Sequence, residues 1–307
     1  ISMTSKGWEI TLGWRDRVND FSYGVSLNLS DYQITIDDYD NNPSKSLSIG
    51  TTQNGPYYKG AKLGNIWGYK TLGIAKPDAE MAEHLSKVDQ SALGSRWAAG
   101  DVMYADLNGD GVVGTGKNTE ENPGDRVVVG NNTPRYSFGV NLDAQWKGFD
   151  LRVFFQGVGK RDYWASGAVF QGPCANNQWQ AAALVQHLDY FRPEGTTNPL
   201  GPNVDSYYPR PNWGGGKNFQ VSDRYIQNAA YCRLKNVTFG YTLPQNITRH
   251  ARIENLRIFF SGENLLTITD FTGTGDPELV DSYYVAYGYG KVYPLQRVLS
   301  FGLNVTF

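Results

Sequence analysis

RVLSFGLNVTF, residues 297–307, sets Leu299, Phe301, Leu303, Val305 and Phe307 in alternation with Ser300, Gly302, Asn304 and Thr306. A period of two is the signature of a β-strand, whose successive side chains point to opposite faces. Here one face is apolar and the other small and polar. On a strand of this length that polarity suits a wall between lipid and a watery lumen.

The pattern recurs along the chain. Trp8, Ile10, Leu12 and Trp14 alternate with Glu9, Thr11 and Gly13; Phe21, Tyr23, Val25, Leu27 and Leu29 with Ser22, Gly24, Ser26 and Asn28. Tyr136, Phe138, Val140, Leu142, Ala144 and Trp146 form a third strand, and after Lys147-Gly148 the alternation resumes at Phe149, Leu151, Val153 and Phe155 as a tight hairpin. Val237, Phe239, Tyr241 and Leu243 run into Pro244, and Leu256, Ile258 and Phe260 open the next strand. With the terminal one, seven strands result.

Short connections (15–20, 147–148, 245–254) alternate with long ones (about 30–134, 159–229, 270–296). Transmembrane barrels have short periplasmic turns and long outer loops. The expected fold is therefore all-β, a transmembrane antiparallel barrel, with the C-terminus in the periplasm and Glu9, Asn28, Asn141, Asp143 and Arg152 facing the lumen. Seven is odd and below the usual minimum of eight, so the chain reads as part of a larger barrel. Its first residues, ISMTSKGWEI, lack an apolar signal-peptide core, an expectation in the same direction.

Composition narrows the function. With 28 Lys+Arg against 30 Asp+Glu, no basic surface recommends nucleic acid as a partner. No run of 18 apolar residues offers a transmembrane helix. Eight Trp, 20 Tyr and 14 Phe suit membrane-interface girdles and sugar-binding surfaces alike. Cys174 and Cys232, one in the second long loop and one at its end, are a possible disulfide in an oxidising compartment, or two unpaired thiols.

In the first long loop, DLNGDGV (residues 106–112) matches the opening of a Ca²⁺ loop: Asp106, Asn108 and Asp110 supply oxygen side chains, Gly111 the sharp turn, and Val112 a carbonyl. The position for a bidentate carboxylate holds Lys117, and the nearest acids follow at Glu120, Glu121 and Asp125. Either Asp125 closes a Ca²⁺ (or Mg²⁺) site across an insertion, or the stretch is an Asx-rich turn satisfying its own backbone.

Several motifs in fixed order resemble the C-terminal barrel of SusC-like TonB-dependent outer-membrane transporters (the SusC/RagA family) of glycan-foraging Gram-negative bacteria. They are GDVMYADLNGDG (100–111), DRVVVGNNTPRYSFGVNL (125–142), KGFDLRVFFQGVGKRDYW (147–164), RLKNVTFGYTLP (233–244), LRIFFSGENLLTITDF (256–271), GDPE (275–278) and YPLQRVLSFGLNVTF (293–307). The resemblance implies a 22-stranded barrel of which this chain supplies about seven strands. It also implies a plug and a TonB-contacting region outside this chain, and a SusD-like surface lipoprotein closing over the nutrient. In that family an Asp before Arg usually closes the acidic stretch, so Asp125-Arg126 is the displaced counterpart.

Trp164, Trp179, Tyr207, Tyr208 and Trp213 lie among Gly, Asn, Asp and Arg in the second long loop. They either stack on sugar rings or pack the loop on itself. His84, His187 and His250 have no metal-ligand spacing, and no GxSxG, HExxH or phosphate-binding loop is present, so no enzyme is expected. Phe307 reads as the last girdle residue and, by resemblance, as an assembly signal for barrel insertion. The leading function is import of oligosaccharides, with oligopeptides as the alternative cargo. Two other classes are a soluble Ca²⁺-dependent carbohydrate-binding β-sandwich and a glycan-cleaving surface enzyme.

Overall fold

The computed structural model describes residues 1–48, 50–51, 55–174, 183–212, 216–271, 275–280, 293 and 295–307. Seven strands, β1 (Ser2–Val18), β2 (Phe21–Asp38), β3 (Arg135–Trp146), β4 (Phe149–Lys160), β5 (Tyr231–Thr242), β6 (Asn255–Thr269) and β7 (Val298–Thr306), form one antiparallel sheet in chain order. No described helix is long and apolar enough to cross a membrane.

Register shows why the alternation matters. One cross-strand row reads Arg15, Gly24, Asp143, Arg152, Thr238, Ser261, Ser300. The neighbouring row, on the opposite face, reads Trp14, Val25, Leu142, Val153, Val237, Gly262, Leu299. A polar and an apolar surface thus run the width of the sheet, and a one-residue slip would exchange them. The apolar surface is open, with Leu12 60% and Phe301 82% exposed. The polar face holds a hollow of about 640 Å³ lined by Arg15, Asn141, Asp143, Arg152 and Asn236.

Both tight turns are set by local chemistry. Lys147 (φ 46°) and Gly148 (φ 88°) take the paired left-handed conformation of a type I′ hairpin, which matches the twist of the flanking strands. The first turn is tighter than its polar composition suggests. Arg15, Asp16 and Arg17 stay in the ladder opposite Gly24, Tyr23 and Ser22, which leaves Asn19-Asp20 as the loop. Residues 245–254 form a helical turn followed by a 3₁₀ turn.

Strand β2 also runs beyond its expected end near Leu29. Its pairing with β3 stops at Ser30↔Ser137, while the β1–β2 ladder continues to Ser2↔Asp38. The phase of its apolar residues changes there, from odd positions to Tyr32, Ile34 and Ile36. The cause is a new neighbour: Ile36 is fully buried against Tyr58 and Ala61 of the following connection, and it exchanges backbone hydrogen bonds with Gly60 and Ala61.

Most of the buried core lies in the long connections and at the strand ends that meet them. The first carries short ladders, Asn65–Tyr69 with Arg126–Asn131 and Thr71–Ile74 with Val102–Tyr104, beside the helix Asp78–Lys87. Tyr69, Val102, Tyr104, Val113 and Phe191 form one cluster. Ala165, Phe170, Cys174, Tyr208, Phe219 and Tyr225 form another.

Candidate functional site

The first and second long connections join as one unit through buried polar contacts. Tyr69 N–H donates to the Val221 carbonyl (2.8 Å), and Arg210 N–H to that of Gly100 (2.9 Å). The Tyr104 hydroxyl donates to the Lys217 carbonyl (2.6 Å). Asp223 Oδ1 accepts from Thr71 N–H (3.0 Å) and Thr71 Oγ1 (2.9 Å).

At the centre lies Asp101, fully buried. Its oxygens accept from Arg210 Nε (2.9 Å) and Nη2 (2.7 Å), Lys217 Nζ (2.7 Å) and Asn218 Nδ2 (2.8 Å). Burial pushes the Asp101 carboxyl up, but these donors outweigh it and hold it below its ordinary range. Burial lowers the Lys217 ammonium, and Asp101 opposes this in part. Lys217 Nζ also lies 4.6 Å over the Trp97 ring. The signal for this cluster is hidden in the sequence, because Asp101 stands more than a hundred residues from Arg210, Lys217 and Asn218.

A second ion network ties the last long connection to the sheet. Arg233 on β5 holds both oxygens of Asp276 (2.6 and 2.7 Å) and one of Glu278 (2.6 Å), while Lys235 takes Glu278 at 3.0 Å. The GDPE motif thus carries two acids that dock on two cations of one strand.

The Asp106 loop is brought together with Asp125. Asp106 accepts from Gly109 and Gly111 N–H (both 2.8 Å), Asn108 from Asp110 N–H (2.9 Å), and Asp110 from Val112 N–H (2.8 Å). Asp125, fully buried, accepts from Leu107 and Gly114 N–H (both 2.8 Å) and so clamps the two ends of the turn. The Gly111 amide, the largest influence, holds the Asp106 carboxyl below its usual value. Glu120 and Glu121 are drawn away to Lys45 (3.2 and 3.6 Å). The oxygen donors suit a hard cation in chemistry. As they stand they satisfy the backbone, and no described group of three His, Cys, Asp or Glu is gathered for a metal.

Of the loop aromatics, Tyr208 is buried and Trp164 and Tyr207 are half-buried around Tyr225; their rings contact one another or Phe170. These three pack the loop on itself. Trp179 and Trp213 lie outside the described residues. The disulfide is not formed. Cys174 is buried in the aromatic cluster, its thiol pushed up to about 12 by desolvation, whereas Cys232 sits on β5 between Gly157 and Ile268. Phe307 follows the end of β7 and is 87% exposed.

No family model matches the chain. Its sequence is 27% identical over 322 residues to TonB-dependent receptor P3 of Formosa agariphila, covering 99% of the chain and 29% of that protein. It is 26% identical to TonB-dependent receptor P26 of the same organism, covering the whole chain and again 29% of the relative. The chain thus spans under a third of the length of these relatives. Among solved structures, the RagAB peptide transporter matches with a TM-score of 0.66 at 19% identity, over 99% of this chain and 29% of that one. The RagAB peptide importer in its closed-closed state also matches at 0.66. At that identity the structural likeness carries the fold alone, and in sequence the chain is similar along its whole length to part of TonB-dependent receptors.

Proposed function

We propose that this chain forms wall and outer mouth of an outer-membrane importer that takes up nutrient oligomers, working with TonB and a SusD-like surface lipoprotein. The observation that carries the reading is the two-faced sheet. A seven-stranded surface with large apolar side chains in the open requires a lipid solvent, and the opposite polar face suits a watery lumen. Kinship with TonB-dependent receptors supports the energy-coupled route. In this arrangement the short turns and the C-terminus face the periplasm, the fused long connections form the mouth, and Phe307 marks the strand end for barrel insertion. The role is passage, without a catalytic step.

Oligosaccharides are the first cargo, from the resemblance to glycan-foraging transporters. Oligopeptides are the second, favoured by the fold likeness to RagAB, a peptide importer. Deleting the gene and supplying labelled oligosaccharides and oligopeptides to cells separates them: uptake of one class should fall to background and return on complementation. Unchanged uptake of both, or recovery of the full-length protein in the soluble fraction, would overturn the importer and favour a carbohydrate-binding module.

A cation belongs to the same proposal: Ca²⁺, or Mg²⁺, on the carboxylates of Asp106, Asp110 and Asp125, with Asn108 and the Val112 carbonyl. Because the side-chain oxygens already accept backbone amides and the three acids are not gathered around one point, the site is a weak one that the loop must tighten to form, stabilising the loop and taking no part in passage.

A further inference from the structure

At the seam between the first and second long connections lies a hollow of about 810 Å³, lined among others by Arg96, Trp97, Arg210, Lys217 and Gln220. It differs in chemistry from the hollow on the polar face of the sheet, where Asp143 and Asp150 stand beside Arg15 and Arg152. Among the described residues, the seam hollow has three cations in its lining and no carboxylate. Asp101, the acid that answers Arg210 and Lys217, is fully buried behind that wall. The field inside the hollow is therefore positive, and low-dielectric walls focus it.

Two donors remain for a ligand. Arg210 spends Nε and Nη2 on Asp101 and on the Arg96 carbonyl, which leaves Nη1 without a partner among the described residues. The Arg96 guanidinium is exposed and likewise has none. Its backbone is unusual: φ is 57°, a left-handed conformation uncommon for a residue with a Cβ. The reason lies in its carbonyl, which accepts from Arg210 Nη2 (3.0 Å) and Lys217 Nζ (2.9 Å). Two cations thus pin the backbone that carries Arg96 at the rim. Strain held by surrounding structure in this way accumulates at binding sites.

We infer that this hollow is a subsite for an oxyanion carried by the imported oligomer, a carboxylate or sulfate, met by Arg96 and Arg210. A guanidinium presents a planar fork of donors that fits such a group, and a charge-assisted pair of this kind is stronger than a neutral hydrogen bond. The inference rests on the importer reading, in which the long connections meet cargo.

The test uses the full-length receptor in detergent and probes matched in length: an oligogalacturonate and its neutral hexose counterpart, a sulfated oligosaccharide, and a glutamate-rich peptide beside a neutral one. Acidic probes should bind more tightly than their neutral partners, and added NaCl should narrow the gap. The acidic probe that binds best identifies the source of the oxyanion. Arg96→Gln should weaken that probe about tenfold, the loss of one charge-assisted hydrogen bond, and leave the neutral ones unchanged. Arg96→Lys, which keeps the charge and loses the fork, should fall between. Both variants leave Asp101, Arg210 and Lys217 in place, so the fold is kept. Equal affinity for acidic and neutral probes, or an Arg96→Gln effect that is absent or common to both, would overturn the subsite. Uptake of neutral oligomers with unchanged Arg96→Gln affinities would overturn it alone, whereas no uptake of any oligomer would overturn the importer too.

Discussion

The sheet and the loop unit use the same residue types in opposite ways. On the sheet, Trp14, Leu299, Phe301 and Leu303 stand in the open, while the connections bury Tyr104, Tyr225, Phe170 and even the charged Asp101 and Lys217. No single solvent makes both arrangements stable. Apolar surface in contact with water costs roughly 25 cal/mol per Å², so the sheet is complete only against lipid. The connections close their own core, and each charge taken inside brings a partner, since an unpaired buried charge costs several kcal/mol. One chain is therefore built for two media, with the boundary near Ser30, where the inward face of β2 changes from polar to apolar.

The comparison breaks most sharply at Asp101. Replacing it by Ala removes the carboxylate that answers Arg210 and Lys217 and should destabilise the loop unit by about 3–5 kcal/mol, as loss of one partner from a buried ion cluster does. Hydrogen exchange of the full receptor should then rise in residues 65–131 and 183–228 and stay unchanged in β3 to β6. The pH response has a definite sign. Because its partners hold the Asp101 carboxyl below its ordinary value, its contribution is present above about pH 4 and is lost as pH falls through the lowered native value. The Ala variant should lack that acid-induced loosening. Equal protection in variant and parent would show the fused loops to be held by their apolar clusters alone.

Lipid-face substitutions come next. Leu299 lies in the apolar row with Val25, Leu142, Val153 and Val237, several residues from the short turns. Leu299→Arg should cost about 2–4 kcal/mol if it faces the bilayer midplane. Leu303→Arg, nearer the turns and opposite Ile258, should cost less, because the penalty falls toward the interface. Ser300→Arg, one residue away on the polar face, should be tolerated. Folding free energies in vesicles give all three, and similar values at Leu299 and Ser300 would reverse the assigned faces.

These contrasts also explain what was legible. Strand faces were, because period two is a local signal and lipid demands it without interruption from Val25 to Leu29 or from Leu299 to Val305. The end of β2 was not: the partners that bury Ile36, Tyr58 and Ala61, come from a loop without periodicity. Arg15, Asp16 and Arg17 looked like a turn because polar residues at a rim resemble a loop in composition while still pairing in register. The loop tyrosines left two readings open, stacking on sugar or packing the loop on itself, since exposure of an aromatic cannot be read from its neighbours in sequence. Cys174 and Cys232 offered a bridge by count alone, with no geometry to test it. Asp101 and Arg96 gave no sign of their roles; the donors that meet the Asp101 carboxylate and the Arg96 carbonyl do so only after both connections have folded.

The smallest effect concerns the Asp106 turn, where the two styles of construction meet: a water-exposed loop that closes on its own amides, yet gathers acids. In the proposed weak site, millimolar Ca²⁺ must compete with backbone donors for the carboxylates of Asp106 and Asp125, so binding at a few times Kd should add only about 1 kcal/mol. Local hydrogen exchange across residues 104–126, with and without Ca²⁺, measures it. Asp125→Asn removes a charge and keeps an acceptor for only one of the Leu107 and Gly114 amides, which bind different carboxylate oxygens, so it should abolish the Ca²⁺ response with a partial loss of basal protection. Asp125→Ala should lose both, because it also releases the clamp. If Ca²⁺ protects neither the parent nor the Asn variant, the turn is held by hydrogen bonds alone, and Asp125 is its complete explanation.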